Sequence, residues 1–230
     1  MIGRIGQALD RFLDLDVNDP QLRAQVRAQQ VNAIVRTTPA MMIGNLLLGS
    51  MILLLALRTP SWSFAVGWFG CLFGVCILGL RAWWKSRRAP KRKYASSRAI
   101  SRAAFHAGTL GTLWGMAPIQ FVDIQHAELS GVVAIGVVGL VCAAGFVLAT
   151  IPQAVIAFFL PVVLGSVYAL GQSPSLTTMV LAVLLVTYLG IVLSASYSQT
   201  RIYVRSMLVS ATVEDQKRTI SLLLKDFEAH

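Results

Sequence analysis

The chain predicts an all-α membrane protein: a bundle of six transmembrane helices with an N-terminal amphipathic cytoplasmic segment and a C-terminal, coiled-coil-like cytoplasmic helix. Three observations carry this. The 230 residues are 56% hydrophobic and 13% charged, where a soluble domain would be roughly a quarter charged. The apolar residues come in six blocks near the length that a bilayer requires. The twenty Lys and Arg residues are segregated: all but Arg58 fall in three segments that one threading of the membrane puts on the same side.

Those segments hold Arg4, Arg11, Arg23, Arg27 and Arg36 at the amino end; Arg81, Lys85, Arg87, Arg88, Lys91, Arg92, Lys93, Arg98 and Arg102 in the second loop; and Arg201, Arg205, Lys217, Arg218 and Lys225 at the carboxyl end. Lys and Arg are costly to translocate, so the pattern predicts both termini in the cytoplasm. The net charge of +10 is confined to these flanks and reads as topology and attraction to anionic lipid. No nucleic-acid recognition motif accompanies it, so nucleic acid is not an expected partner.

Met1 to Asp19 alternates charged with apolar residues and lacks the continuous hydrophobic core of a signal peptide. Ile2, Ile5, Leu9, Phe12 and Leu13 recur at helical spacing and predict a short amphipathic helix on the membrane face. Asp19-Pro20 supplies a carboxylate cap and a proline at the first helical position. The helix that follows is expected to run to about Arg36 and to break at Pro39, giving a cytoplasmic or interfacial segment over 1–38. The membrane domain is placed at 39–198, with spans at about 40–57, 62–84, 105–122, 131–149, 154–170 and 176–197, and the cytoplasmic helix at 199–230.

Arg58-Thr59-Pro60-Ser61 turns the chain between the first two spans, and Trp62, Trp83 and Trp84 mark the ends of the second, where indole rings prefer the interface. Spans three and four are joined by Asp123 to Glu128, and four and five by a tight turn at Ile151-Pro152-Gln153. Pro161 is expected to kink span five, and Gly171 to Ser175 turns the chain into span six. Loops this short leave no room for an extracellular ligand domain. A signal must therefore be small, carried by lipid, or sensed within the bilayer.

Gly70 and Gly74 in span two, and Gly111 and Gly115 in span three, lie four apart. With Gly136 and Gly139 in span four they are expected to let helices approach closely in lipid. Packing within one bundle is the ordinary use of such spacing; a dimer face is the alternative.

Ionisable groups inside a membrane are costly and usually functional. Arg81, in the last turn of span two and part of the basic loop, is the only Asp, Glu, Lys or Arg within the six spans. This weighs against proton pumps and most ion-coupled transporters. The remaining polar candidates for a ligand or sensing contact are Asn45, Gln120, Tyr168, Tyr188 and His106. Asn45 most simply serves as an interhelical hydrogen bond, and His106 as an interfacial residue. No second histidine lies at its depth to complete a haem pair.

Asp123, His126 and Glu128 could hold a divalent ion, but exposed loop residues of this kind are ordinarily solvated, and no metal site is assigned. Cys71, Cys76 and Cys142 lie in apolar spans and read as small hydrophobes. No GxSxG, HExxH, P-loop or Cys-His cluster is present. No catalytic residue, cofactor or enzymatic activity is assigned.

From Ser198 to His230 no helix breaker occurs. Ile202, Val209, Val213, Ile220, Leu223 and Phe227 fall on one seam at alternating spacing, with Ser206 and Gln216 in its other two positions and the charges kept off it. This predicts a parallel two-chain coiled coil; an amphipathic helix lying on its own bundle or on lipid is the alternative. The pattern ends without a stop signal, so the helix is read as a connector to a domain beyond His230.

The amphipathic amino end, six spans with minimal loops, and the helix Ile220-Ser-Leu-Leu-Leu-Lys-Asp-Phe-Glu-Ala-His230 resemble the input half of bacterial membrane-bound signalling proteins. The nearest group is the MASE-like membrane-associated sensor domains, which precede PAS, GGDEF or EAL domains that make or break cyclic di-GMP. Histidine kinases use similar input bundles. The resemblance implies a sensory input and dimerisation module, homodimeric through its last helix, in a bacterial inner membrane. A transporter or channel for a small solute or lipid, and a purely structural anchor, are the alternatives.

Overall fold

A computed structural model describes residues 20–88, 94–122, 127–172 and 175–228. The amphipathic segment 1–19, most of the basic loop at 89–93, and the Asp123–His126 turn lie outside these residues. The elements are α1 (Pro20–Ala56), α2 (Trp62–Arg87), α3 (Ser97–Phe121), α4 (Ala127–Val147), a 3-10 turn at Leu148–Thr150, α5 (Pro152–Gly171) and α6 (Leu176–Glu228), with no strand among the described residues.

Five of the six helices are long and apolar enough to cross a membrane: Arg27–Ala56, Trp62–Arg87, Glu128–Thr150, Pro152–Gly171 and Thr178–Gln199. The expected third span, 105–122, is not among them. His106, Thr109, Thr112 and Gln120 dilute its apolar character, and its broad buried face, from Ala107 to Phe121, meets protein. A helix whose neighbours are other helices need not be apolar all round.

The predicted break at Pro39 does not occur: α1 is continuous from Pro20 to Ala56, with Pro39 inside it. A proline removes one backbone donor, here the one owed to the Val35 carbonyl. Beside that gap the Thr37 and Thr38 hydroxyls donate to the Ile34 carbonyl at 3.0 and 2.8 Å, and such local hydroxyl bonds are how helices in lipid accommodate proline. The amino-terminal part of α1 is also more than an interfacial helix. Ala28 and Gln30 are buried, and the Ala95 amide donates to the Ala24 carbonyl at 3.0 Å, which ties this arm to the entrance of α3.

The turns follow from local chemistry. Thr59 is buried and its hydroxyl donates to the Ala56 carbonyl at 2.8 Å, which closes α1 as the chain reverses into α2. Ile151 is extended (φ −129°, ψ 92°) because Pro152, the first residue of α5, disfavours a helical conformation in the residue before it.

The core lies among α1 to α5 and includes the fully buried Ile52, Leu72, Trp114, Phe121, Ile151 and Phe159. Its closest approach is between α3 and α5. A Cβ on Gly111 would meet the backbone of Phe158, with the Phe158 Cα at 2.8 Å. One on Gly115 would meet the backbone of Pro161, and one on Gly165 that of Gly115, with the Gly115 Cα at 2.9 Å. Gly111 and Gly115 thus form the backbone contact that their spacing suggests, and Gly165 of α5 completes it. Gly136 also packs, its missing Cβ bordering Leu48 at 2.8 Å. Gly70, Gly74 and Gly139 do not pack within the bundle: nothing lies within 4 Å of a Cβ on any of them. These three face away from the bundle.

Candidate functional site

Several polar side chains of the bundle line a column between α1, α2 and α3. At its centre is Asn45, 2% exposed. Its amide nitrogen donates to the Met41 carbonyl at 2.7 Å, one turn back on α1. Its amide oxygen accepts from the Trp114 indole N–H of α3 at 2.6 Å. Trp114 is fully buried, and a buried indole N–H needs an acceptor; in an apolar bundle Asn45 is the acceptor supplied. Both halves of the Asn45 amide are used within the chain, so it is a structural tie rather than a vacant ligand contact.

The column continues away from the basic end. The Trp68 indole donates to the Leu113 carbonyl at 2.7 Å, binding α2 to α3. Trp68 meets Trp114 edge-to-face, with ring centroids 5.4 Å apart and planes at 87°, and meets Phe121 at 5.7 Å and 78°. Phe64 adds a further edge contact to Phe121 at 5.6 Å. Pairs of this geometry contribute about 0.5–1.5 kcal/mol beyond area burial. At the far end Gln120, exposed on α3, donates to the Ser61 hydroxyl at 3.2 Å just before α2 begins.

Toward the basic end the column reaches His106. Its Nε2 is buried and has no hydrogen-bond partner. It lies 3.1 Å from where a Cβ of Gly79 would stand, and the Met42 sulfur lies 3.0 Å from the same point. One residue from each of α1, α2 and α3 therefore meets there.

The remaining candidates lie elsewhere. Tyr188 on α6 meets the Cys142 thiol of α4 through its hydroxyl. Two turns along α6, the Ser196 hydroxyl donates to the Gly145 carbonyl at 3.2 Å, while Val192 fills the space beside Gly145. These contacts dock α6 on α4. Tyr168 is 58% exposed on the outside of α5 and contributes to no interior site. The five predicted polar residues do not form one pocket: Asn45 and His106 share the column, Gln120 caps it, Tyr188 belongs to the α4–α6 contact, and Tyr168 stands apart.

Trp68 and Trp114 are the site residues that sequence reasoning missed. A tryptophan in mid-span, far from the interface that indole prefers, was the available signal. Of the Asp123, His126 and Glu128 group, Asp123 and His126 lie outside the described residues. Among the described residues no three His, Cys, Asp or Glu side chains come together as a metal site.

At the basic end Arg87 and Arg88 stack over Trp83 and Trp84 at 5.6 and 5.2 Å, and Arg201 over Tyr197 at 5.4 Å. Such pairs hold guanidinium groups at the level where tryptophan and tyrosine favour the membrane interface. No protein-family model, curated protein or solved structure matches the chain.

Proposed function

We propose that this chain is a membrane-embedded sensory input and dimerisation module with six spans and both termini in the cytoplasm of a bacterium. It passes a signal through α6 to a cytoplasmic output activity, of which cyclic di-GMP turnover is the favoured class. The observation that carries this reading is the continuity of α6. It is one 53-residue helix, roughly 80 Å long at about 1.5 Å per residue, whose apolar stretch Thr178–Gln199 passes without interruption into the predicted seam.

The exposed face of α6 supports a second copy as partner. Ile202, Val209, Val213 and Ile220 are 69, 62, 44 and 57% exposed; the side chains of Leu223 and Phe227 lie outside the described residues. Extended back toward the membrane at spacings of three and four, the seam runs through Ser198, Ala195, Ile191, Thr187, Leu184 and Val180, every one exposed. Of the residues that α6 turns to its own bundle, Leu189 and Leu193 lie opposite this stripe, while Tyr188 and Val192 border it. Exposure of this stripe is expected where lipid surrounds it. Beyond Gln199 the same apolar stripe meets water unless a partner covers it, and Val213 and Ile220 at alternate seam positions suit a parallel pair.

In this mechanism a stimulus in the bundle shifts or rotates α6, and the shift changes how two output domains meet. The test is to insert one, two or three residues after Gln199, with a cyclic di-GMP-forming output domain joined beyond His230. Output should vary with the size of the insertion, because each insertion turns the seam by about 100° per residue. Equal output from all three and from the parent would overturn the proposal.

A further inference from the structure

One face of α2 is open along its length, and its chemistry changes from apolar to cationic toward the basic end. At about 100° per residue, Gly67, Gly70, Gly74, Arg81, Lys85 and Arg88 fall within roughly 60° of arc, and all six are exposed. Nothing lies within 4 Å of where a Cβ on Gly67, Gly70 or Gly74 would stand. Ile77 and Leu78, 42 and 64% exposed, flank the face between the glycines and the cations. The Arg88 guanidinium stacks 5.2 Å from the centre of the exposed Trp84 ring. Indole favours the headgroup level of a membrane, so this stack sets the charged end of the face at the depth of lipid phosphates. No Asp or Glu occurs between Pro20 and Val122, so neither α2 nor its neighbours α1 and α3 supply a counter-charge.

We propose that this face binds one anionic phospholipid from the leaflet at the basic end, with its phosphate on Arg81, Lys85 and Arg88 and an acyl chain over Gly74. Charge decides between this occupant and a second copy of the chain. A two-fold axis normal to the membrane keeps each residue at the depth of its copy. It would set three cations against the same three with no carboxylate on the face, and like charges so placed oppose association. An anionic headgroup meets all three cations, and guanidinium suits phosphate. The lengths agree as well. Half of a hydrocarbon core of about 30 Å corresponds to about ten residues of helix, which from Arg81 reaches Cys71. Gly74 therefore lies beside the acyl chain and Gly70 near its end. The cations select the lipid, and the glycines only leave the face open below them. Diffuse attraction of basic flanks for anionic lipid needs no such alignment and would act at every flank alike. Lipid binding is measured without any output, so it stands apart from the reading of α6 as a signalling helix.

The purified chain in a zwitterionic detergent can be titrated with phosphatidylglycerol or phosphatidylcholine of the same chain length and followed by native mass spectrometry. It should retain one phosphatidylglycerol per chain in preference to phosphatidylcholine. Arg81→Gln, Lys85→Gln and Arg88→Gln together should weaken that retention by at least about tenfold, and six of the nine cations of the loop remain to hold the orientation. Arg201→Gln with Arg205→Gln also removes exposed cations from the basic end, one of them stacked on Tyr197, yet should bind as the parent does. Gly74→Leu keeps every charge and fills open ground, so it too should weaken retention, which contact with a free phosphate or a headgroup alone would not explain. Equal losses in the two cation variants would reduce the site to diffuse charge and overturn it. Unchanged retention in Gly74→Leu would overturn it by removing the acyl chain from the face. A cross-link between the exposed Cys71 thiols of two copies, formed by mild oxidation in nanodiscs and undiminished by phosphatidylglycerol, would overturn it by making a second copy the occupant.

Discussion

Along α3, Ala107, Leu110, Gly111, Trp114, Gly115, Ala117, Pro118 and Phe121 are all buried, whereas among the described residues of Thr178–Gln199 in α6 only Ser196 is. The first helix is held backbone against backbone by Gly111, Gly115 and Gly165. The second packs on α5, on the 3-10 turn at Leu148–Thr150 and on α4, its contacts with α4 being Val192 beside Gly145, the Tyr188–Cys142 contact and a hydroxyl bond from Ser196. In lipid the hydrophobic effect gives helices no reason to associate, so packing and polar contacts decide how firmly each is held. By that measure α3 and α5 behave as one rigid pair, while the seat of α6 on α4 is the looser contact. The proposed signal is therefore better placed in the seating of α6 than in a rearrangement of the glycine-rich spans.

The largest expected effect breaks the rigid pair. Gly115→Leu forces a side chain into the Pro161 backbone, where no rotamer can relieve it. Overpacking costs about 1–3 kcal/mol where side chains can yield, and more where they cannot. Gly115→Leu should therefore lose about 3 kcal/mol or more and yield little folded protein. Gly74→Leu, with nothing within 4 Å, should stay within about 0.5 kcal/mol of the parent. Monodisperse recovery and thermal unfolding in detergent measure both, and equal damage from the two substitutions would erase the distinction between α3 and α2.

That contrast also marks what the sequence could tell. Gly70/Gly74 and Gly111/Gly115 have the same spacing, and spacing shows only that a helix carries a flat strip, not whether another helix faces it. Gly165, which completes the contact, has no glycine four residues away in α5 and so gave no signal of its own. The helices themselves were legible because apolar blocks and turn residues are local features. Pro39 misled because its cost falls on one carbonyl and is absorbed locally. Asn45 was correctly read as an interhelical bond, but its partner Trp114 lies 69 residues away, a pairing that no local pattern encodes.

An intermediate effect tests the column that joins α3 to α1. Asn45→Leu removes the acceptor of the Trp114 indole and leaves a buried donor unmet, for about 1–2 kcal/mol. Trp114→Phe removes the donor at a similar or greater cost, because it also disturbs the edge contact to Trp68. In a double-mutant cycle the pair should show a coupling near 1 kcal/mol. Strict additivity of the unfolding free energies would mean that the 2.6 Å bond contributes nothing to holding α1 and α3 together.

The smallest effect in free energy is the most informative about α6. Ser196→Ala deletes its hydroxyl bond to the Gly145 carbonyl, and Tyr188→Phe deletes the contact with the Cys142 thiol. Polar bonds between helices in a membrane average about 0.6 kcal/mol, so neither change should shift global unfolding appreciably. Their effect should be local. With these contacts to α4 removed, amides from Tyr188 to Gln199 should exchange faster with deuterium in the double variant, while those of α3 and α5 keep their protection. If exchange rose equally in α3 and α5, α6 would be part of the rigid unit, and a signal could not reach its seam by reseating that helix alone.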